Sequence, residues 1–247
     1  MQKTRNYALV GLFVAILSCS FLTKKPESLS YKTVAFKGYS FHTVVLRQPD
    51  EVQLVHKDSA GKKIKTLENA VLSSGSKPKP VRFATNAGMF HPSHDPVGLY
   101  VEQGNTLFPL KTDSGRGNFY LLPNGVLHWD NTAFSISTTE AFSKEKPSPV
   151  FATQSGPMLV IDGEVHPAFR EGSQNQYIRS GVGILPSGEL VFCLSTEPVN
   201  FHTFGLLFKN HFHCQDALYL DGSISQMYLQ GQSEPTAREF GPMIIAY

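Results

Sequence analysis

Short runs of apolar, β-branched and aromatic residues, each stopped by Gly, Asn, Asp, Ser or Pro, recur from Tyr31 to the end of the chain. Such runs suit pleated strands and are too short for ordinary helices. They restrict the chain to a sheet-rich α+β fold of mixed or antiparallel strands and hairpins, with two or three helices. Residues 31–37, 40–47 and 51–56 open it as a meander, and 81–86 and 97–102 continue as strands. Hairpins are expected over 119–129 about Asn124-Gly125, over 158–166 about Asp162-Gly163, and over 178–195 about Pro186-Ser187-Gly188. Helical spacing covers 63–74. Asn200 is placed to cap a second helix reaching about His213, with Phe201, Phe204, Leu207 and Phe208 on or near one face. That helix feeds a strand at 217–220 and delivers Asp221 to the strand's carboxyl end, where ligands often sit when a sheet is locally parallel. Residues 241–247 close the chain as a last strand.

The first residues have the form of an export signal. Lys3 and Arg5 precede an uncharged apolar run from Tyr7 to Leu17, which is short for a bilayer span. Ile16-Leu17-Ser18-Cys19 has the form of a bacterial lipobox, which makes Cys19 the acylated residue; a plain secretory signal cut nearby is the alternative. The expected organisation is a lipoprotein-type signal over 1–18, the lipidated Cys and a polar tether over 19–30, and one domain over 31–247. The location implied is the bacterial cell envelope, at its periplasmic or extracellular face. Loss of 1–18 removes two basic residues and no acid, leaving 20 of each sign. A neutral chain without a basic stripe is not built for nucleic acid, and it meets a membrane only through its lipid anchor. Cys193 and Cys214 remain, either paired by an oxidising compartment or buried as free thiols.

Four segments interrupt strands with small or polar residues: Thr85-Asn86-Ala87-Gly88-Met89-Phe90, with 96–102 after it; Gln154-Ser155-Gly156-Pro157 with the strand that follows; Ile178-Arg179-Ser180-Gly181-Val182-Gly183; and Leu220-Asp221-Gly222-Ser223-Ile224-Ser225. Singly, each has the composition of an ordinary turn. In this order they resemble the phosphodiester glycosidase family. Its pattern has an Asn-Gly-Gly-Phe-Phe segment, a Ser-Gly-Pro strand followed by Asp-Gly, an Arg-Thr before a Gly, and a Leu-Asp-Gly-Gly-Gly-Ser-Ser loop. Asn86, Gly88, Ser155, Gly156, Pro157, Arg179, Gly183, Asp221, Gly222 and Ser225 match. Ala87, Met89, Ser180, Ser223 and Ile224 depart from it. The resemblance runs from about Phe83 to Tyr247 and implies removal of a sugar from a phosphodiester-linked glycan, wall polymer or glycolipid.

That chemistry has few requirements. The group expelled from the anomeric carbon is a phosphate monoester, already a good leaving group, so general-acid help matters less than usual. A carboxylate is still needed near the anomeric carbon, as nucleophile or as base for water. Asp221 is the first choice and Glu102 the second, although Glu102 before Gln103-Gly104-Asn105 also reads as hairpin solvation. Arg179 suits bidentate phosphate binding, and Asn86 suits a sugar hydroxyl or the orientation of a carboxylate. Gly88, His91, Ser155, Gly156, Gly222, Ser223 and Ser225 are the expected substrate contacts. His91, His94 and Asp95 offer a rival metal site, as do His211 and His213. Pro92 and Pro96 make the first an irregular loop, and the second pair points to different helix faces. No metal and no cofactor is expected. The competing reading is a non-catalytic lipoprotein that binds a sugar phosphate or anionic glycan in the same pocket.

Overall fold

The computed structural model describes residues 27–73, 79–222, 224–232 and 238–247. The chain runs through β1 (Leu29–Phe36), β2 (Tyr39–Leu46), β3 (Val52–Val55), α1 (Leu67–Ser73), β4 (Phe83–Asn86), β5 (Tyr100–Glu102) and β6 (Asn105–Phe108). It continues with β7 (Gly125–Trp129), β8 (Phe134–Thr138), α2 (Thr139–Glu145), β9 (Phe151–Ser155), β10 (Met158–Ile161), β11 (Glu164–Val165), β12 (Ser180–Ile184) and β13 (Leu190–Ser195). The last elements are α3 (Phe201–Leu206), β14 (Ala217–Asp221), β15 (Met227–Leu229) and β16 (Met243–Ala246). Past Leu206, α3 widens into a π-helical stretch, Leu207–His211. No helix among the described residues is long and apolar enough to cross a membrane.

The strands form three antiparallel sheets, ordered β1-β2-β13-β12-β14-β10-β11, β15-β4-β16-β3 and β6-β5-β9-β7-β8. Their inner faces share one core, to which Val44, Phe83, Tyr100, Leu127, Val182, Phe192, Leu218 and Ile244 contribute. Each sheet is backed on its outer face by one helix. Phe204 and the following Leu207 and Phe208 cover the seven-stranded sheet. Leu67 and Ala70 of α1 cover the four-stranded sheet, and Phe142 of α2 covers the five-stranded one. Strand alternation makes both packings possible from one sequence. Along β14, Leu218 and Leu220 enter the shared core while Ala217 and Tyr219 pack on the α3 side. On β12 the α3 side is left to glycines, because a Cβ at Gly183 would lie 2.7 Å from Cys214 Sγ and 2.8 Å from Phe208 Cδ1.

The Asn200 cap is present, its Oδ1 accepting from Thr203 N at 2.8 Å. The Asp162-Gly163 hairpin is also present, both residues taking the positive φ of a type I′ turn. The Asn124-Gly125 hairpin is not. Gly125 lacks the positive φ such a turn needs, and Asn124 is buried with its Nδ2 donating to Phe119 O. Residues 118–120 form a single 3-10 turn, and β7 pairs instead with β8 and β9. β14 is antiparallel to both its neighbours, so Asp221 does not end a parallel strand. Cys193 and Cys214 are free and buried.

The close approach of α3 to β12 gives a direct test. Gly183→Val forces a Cβ and two methyls against Phe208 and Cys214 and is expected to destabilise the fold by about 1–3 kcal/mol. A lower urea midpoint with an unchanged slope is the expected denaturation curve.

Candidate active site

The ends of strands from all three sheets converge on residues 220–226. On β12 and β14, Gly181 faces Tyr219 but Ser180 faces Asp221, so the ladder slips there and frees the end of β14. The hydroxyl of Ser180 fills the gap. Its Oγ accepts from Asp221 N at 3.2 Å and from Asn86 Nδ2 at 3.3 Å, and it lies 3.3 Å from Asp221 O. It also shares a 2.8 Å hydrogen bond with Ser225 Oγ. Asn86, at the end of β4, accepts from Gln226 N with its Oδ1. Ser155, at the end of β9, donates to Leu220 O at 3.0 Å. Ser225 N closes the turn onto Gly222 O. The sequence-predicted residues Asn86, Ser155, Asp221, Gly222 and Ser225 are thus brought together.

Asp221 is half-buried, and its Oδ1 accepts from Gly222 N at 2.6 Å. No cation among the described residues pairs with it. Burial pushes its carboxyl above the ordinary Asp range, and the Gly222 N–H opposes that shift. Tyr219 lies two residues back on the same strand face. Its hydroxyl interacts with the side chains of Arg179 and Asn118, and it feels the charges of both Arg179 and Asp221. Burial holds the Tyr219 phenol far above its usual range, so it acts as a hydroxyl.

Arg179 is 1% exposed, although Arg is mostly a surface residue. Its guanidinium carbon sits 3.6 Å from the centre of the Phe201 ring. Phe201 in turn stacks on Phe169, and Phe169 on His166, with centroids 4.9 and 4.7 Å apart. Nε donates to Val199 O at 2.7 Å, and Nη2 donates to Asn175 O at 2.9 Å and Asn175 Oδ1 at 2.7 Å. No carboxylate among the described residues pairs with it. Burial lowers its pKa, but a guanidinium remains charged. The side-on Nε/Nη2 fork expected to grip phosphate is occupied by protein oxygens.

The other predicted residues have different surroundings. Gly88 packs on β9, where a Cβ would lie 2.3 Å from Gln154 O, and its N–H donates to Thr153 Oγ1. Gly156 precedes a cis Pro157 and packs on Asn124. A Cβ at Gly222 would meet the Tyr219 hydroxyl at 2.9 Å, so this glycine keeps the space beside that hydroxyl open. His91 is exposed on the 91–95 turn. Glu102 is not at the junction. Tyr100 faces Thr153 and Val101 faces Ala152, which places Glu102 at the Phe151 end of β9, four steps or about 13 Å from Ser155. There it accepts from Tyr100 Oη, and burial raises its pKa. Among the described residues, no three His, Cys, Asp or Glu side chains are placed to hold a metal ion. Ser223 and Cys19 lie outside the described residues. A cavity of about 730 Å³ is lined by Lys111, Asp113, Asn124, Thr139 and Lys144 rather than by Asp221.

The profile of the phosphodiester glycosidase family matches residues 79–246, which include every strand end of this junction. The chain belongs to that family. It is also 32% identical to the uncharacterized protein YigE of Escherichia coli (strain K12), over 95% of this chain and 90% of that one. Among solved structures, it is similar to the catalytic domain of zebrafish N-acetylglucosamine-1-phosphodiester alpha-N-acetylglucosaminidase, auto-inhibited by its pro-peptide. That match has a TM-score of 0.59 and 13% identity, and covers 89% of this chain and 82% of the other. A hypothetical protein from Synechocystis matches with a TM-score of 0.54 and 14% identity, over 89% of this chain and 62% of its own. At such identities these likenesses speak to the fold.

In this member of the phosphodiester glycosidase family, Ser180 and Tyr219 lie at the junction although strand ends alone did not point to them, and Asn118 approaches the Tyr219 hydroxyl. Its place two residues before Asp221 on β14 was a usable signal for Tyr219. Ser180 carried only its place beside Arg179, and nothing in the spacing singled out Asn118.

The raised pKa of Asp221 has a stability consequence. A carboxylate disfavoured by the fold adds stability when protonated, below the ordinary Asp value, and loses it as pH rises through the raised value. Asp221→Asn keeps an acceptor for Gly222 N and removes the charge. At pH 7–8 the variant is expected to melt about 2–4 °C above the wild type, the shift that roughly 1 kcal/mol gives a chain of this size. The difference closes toward about pH 3. An Asn variant that melts lower at neutral pH contradicts this assignment.

Proposed function

We propose that the protein is an envelope hydrolase that removes a sugar from a phosphodiester, with the Asp221 carboxylate as the group that meets the anomeric carbon. The observation that carries this reading is a half-buried carboxylate without a cationic partner among the described residues, at a family-matched strand end. A carboxylate left unneutralised by the protein is available to a developing oxocarbenium centre. The buried charge of Arg179 and the Tyr219 hydroxyl favour a negative phosphate on the other side of the scissile bond. In the reaction, the bond between the anomeric carbon and the phosphate oxygen breaks, and its electron pair leaves with the phosphate monoester. Water oxygen ends on the sugar, and the proton it loses ends on the leaving phosphate or in solvent. With Glu102 at the far end of the β5–β9 pairing, the carboxylate work among the described residues falls to Asp221. Ser180, Ser225 and Asn86 fix the backbone that aims it.

Anchorage is part of the same proposal. Acylation at Cys19 holds the domain at the envelope membrane through a polar tether, so Cys19→Ser is expected to move the protein from the membrane to the soluble fraction on cell fractionation.

The activity is tested with a panel of sugar 1-phosphodiesters, measuring free sugar. The wild type is expected to release it and Asp221→Asn to lose on the order of 10³-fold or more, while still binding substrate. Release of a sugar phosphate instead means P–O cleavage and overturns the glycosidase assignment. Saturable binding without turnover of any compound favours a binding protein.

A further inference from the structure

The fork of Arg179 is filled by neutral oxygens in a place where charge balance calls for an anion. Asn175 presents both its backbone O and its side-chain Oδ1 to the same Nη2, at 2.9 and 2.7 Å, while Val199 O takes Nε. Val199 is buried and tied to Tyr177 by two backbone hydrogen bonds, so its oxygen is a fixed part of the body. Asn175 is different. It lies in the exposed stretch from Arg170 to Gln176, most of whose hydrogen bonds are internal: Ser173 N to Arg170 O, Asn175 N to Ser173 Oγ, and Gln176 N to Gln174 O. Among the described residues, three hydrogen bonds fasten this stretch to the body. Two are those from Arg179, and the third is from Asn200 Nδ2 to Ser173 O at 3.3 Å.

We propose that Asn175 is a stand-in ligand: its two oxygens hold the place of two anionic oxygens of the substrate's phosphate, which displace it and release the 170–176 loop. This rests on the sugar-phosphodiester reading of the site and adds a residue that decides access to it. Hydrogen bonds between charged partners are roughly twice as strong as those to neutral acceptors. A phosphate oxygen therefore outcompetes an amide oxygen for the same N–H, most of all where the guanidinium is shielded from water. An amide satisfies the guanidinium in the resting protein without neutralising it. An aspartate at position 175 would pair with it and shut the site.

The test uses the full chain, inorganic phosphate as the probe, and two opposed variants. Phosphate binding is measured calorimetrically, and backbone exchange over 170–177 is followed by mass spectrometry. In the wild type, phosphate is expected to speed exchange of this segment. Asn175→Asp is expected to weaken phosphate binding at least about 10-fold while raising the melting temperature. Asn175→Ala is expected to tighten binding several-fold, with the loop already exchanging fast. Phosphate bound as tightly by Asn175→Asp as by the wild type overturns the proposal, as does a wild-type loop that phosphate protects, or failure of phosphate to bind Asn175→Ala. None of these readouts depends on turnover. The stand-in role survives if no sugar is released, and it fails on its own terms even if sugar is.

Discussion

The hydroxyl of Ser180 ties together chain segments that no single sheet could hold. Three antiparallel sheets share one core, and their strand ends meet where β4, β9, β12 and β14 run out of ladder partners. Backbone groups at such an edge must be satisfied or left to water. Ser180 Oγ bonds the Asp221 backbone, Asn86 reaches it from the four-stranded sheet, and Ser155 holds Leu220 O from the five-stranded one. The slip in register at Ser180 is what lets β14 leave the sheet and turn at Gly222. A hydroxyl suits this position because it donates and accepts at once.

Around that knot the protein keeps two charges that no described residue neutralises. Arg179 is buried, stacked on Phe201 and bonded to amide and carbonyl oxygens; Asp221 is half-buried and held by one backbone N–H. Tyr219 feels the charge of both. A fold selected for stability alone would pair these groups or replace them with apolar side chains. Keeping them apart costs stability, which the proposed sugar-phosphodiester substrate would offset by carrying negative charge beside Arg179 and developing positive charge beside Asp221. The stack from Arg179 through Phe201 and Phe169 to His166 gives the cation a rigid seat.

Much of this was legible in the sequence where the determinants are local. Asp162-Gly163 formed its hairpin because both residues adopt positive φ without outside help, and Asn200 capped α3 through a bond three residues away. The four interrupted strands converged as their order implied. Asn124-Gly125 misled because tertiary contacts overrode its turn preference: Asn124 turns inward to Phe119 O and leaves Gly125 to begin β7. Glu102 misled for a geometric reason. A carboxylate at a strand end is equally visible at either edge of an antiparallel sheet, and only the register with β9 places it at the far one. The occupied fork of Arg179 was invisible, since Asn175 lies in a loop without periodicity and acts through tertiary contact.

The account stands on Asp221 and Arg179 flanking the scissile bond, although a cavity of about 730 Å³ lies elsewhere. The most direct measurement is a crystal structure of the Asp221→Asn full chain with an intact sugar 1-phosphodiester. The account predicts the anomeric carbon about 3–3.5 Å from the side chain at position 221 and the phosphate on the side of Arg179 and Tyr219. A ligand ordered between Lys111 and Lys144, with position 221 untouched, would contradict it.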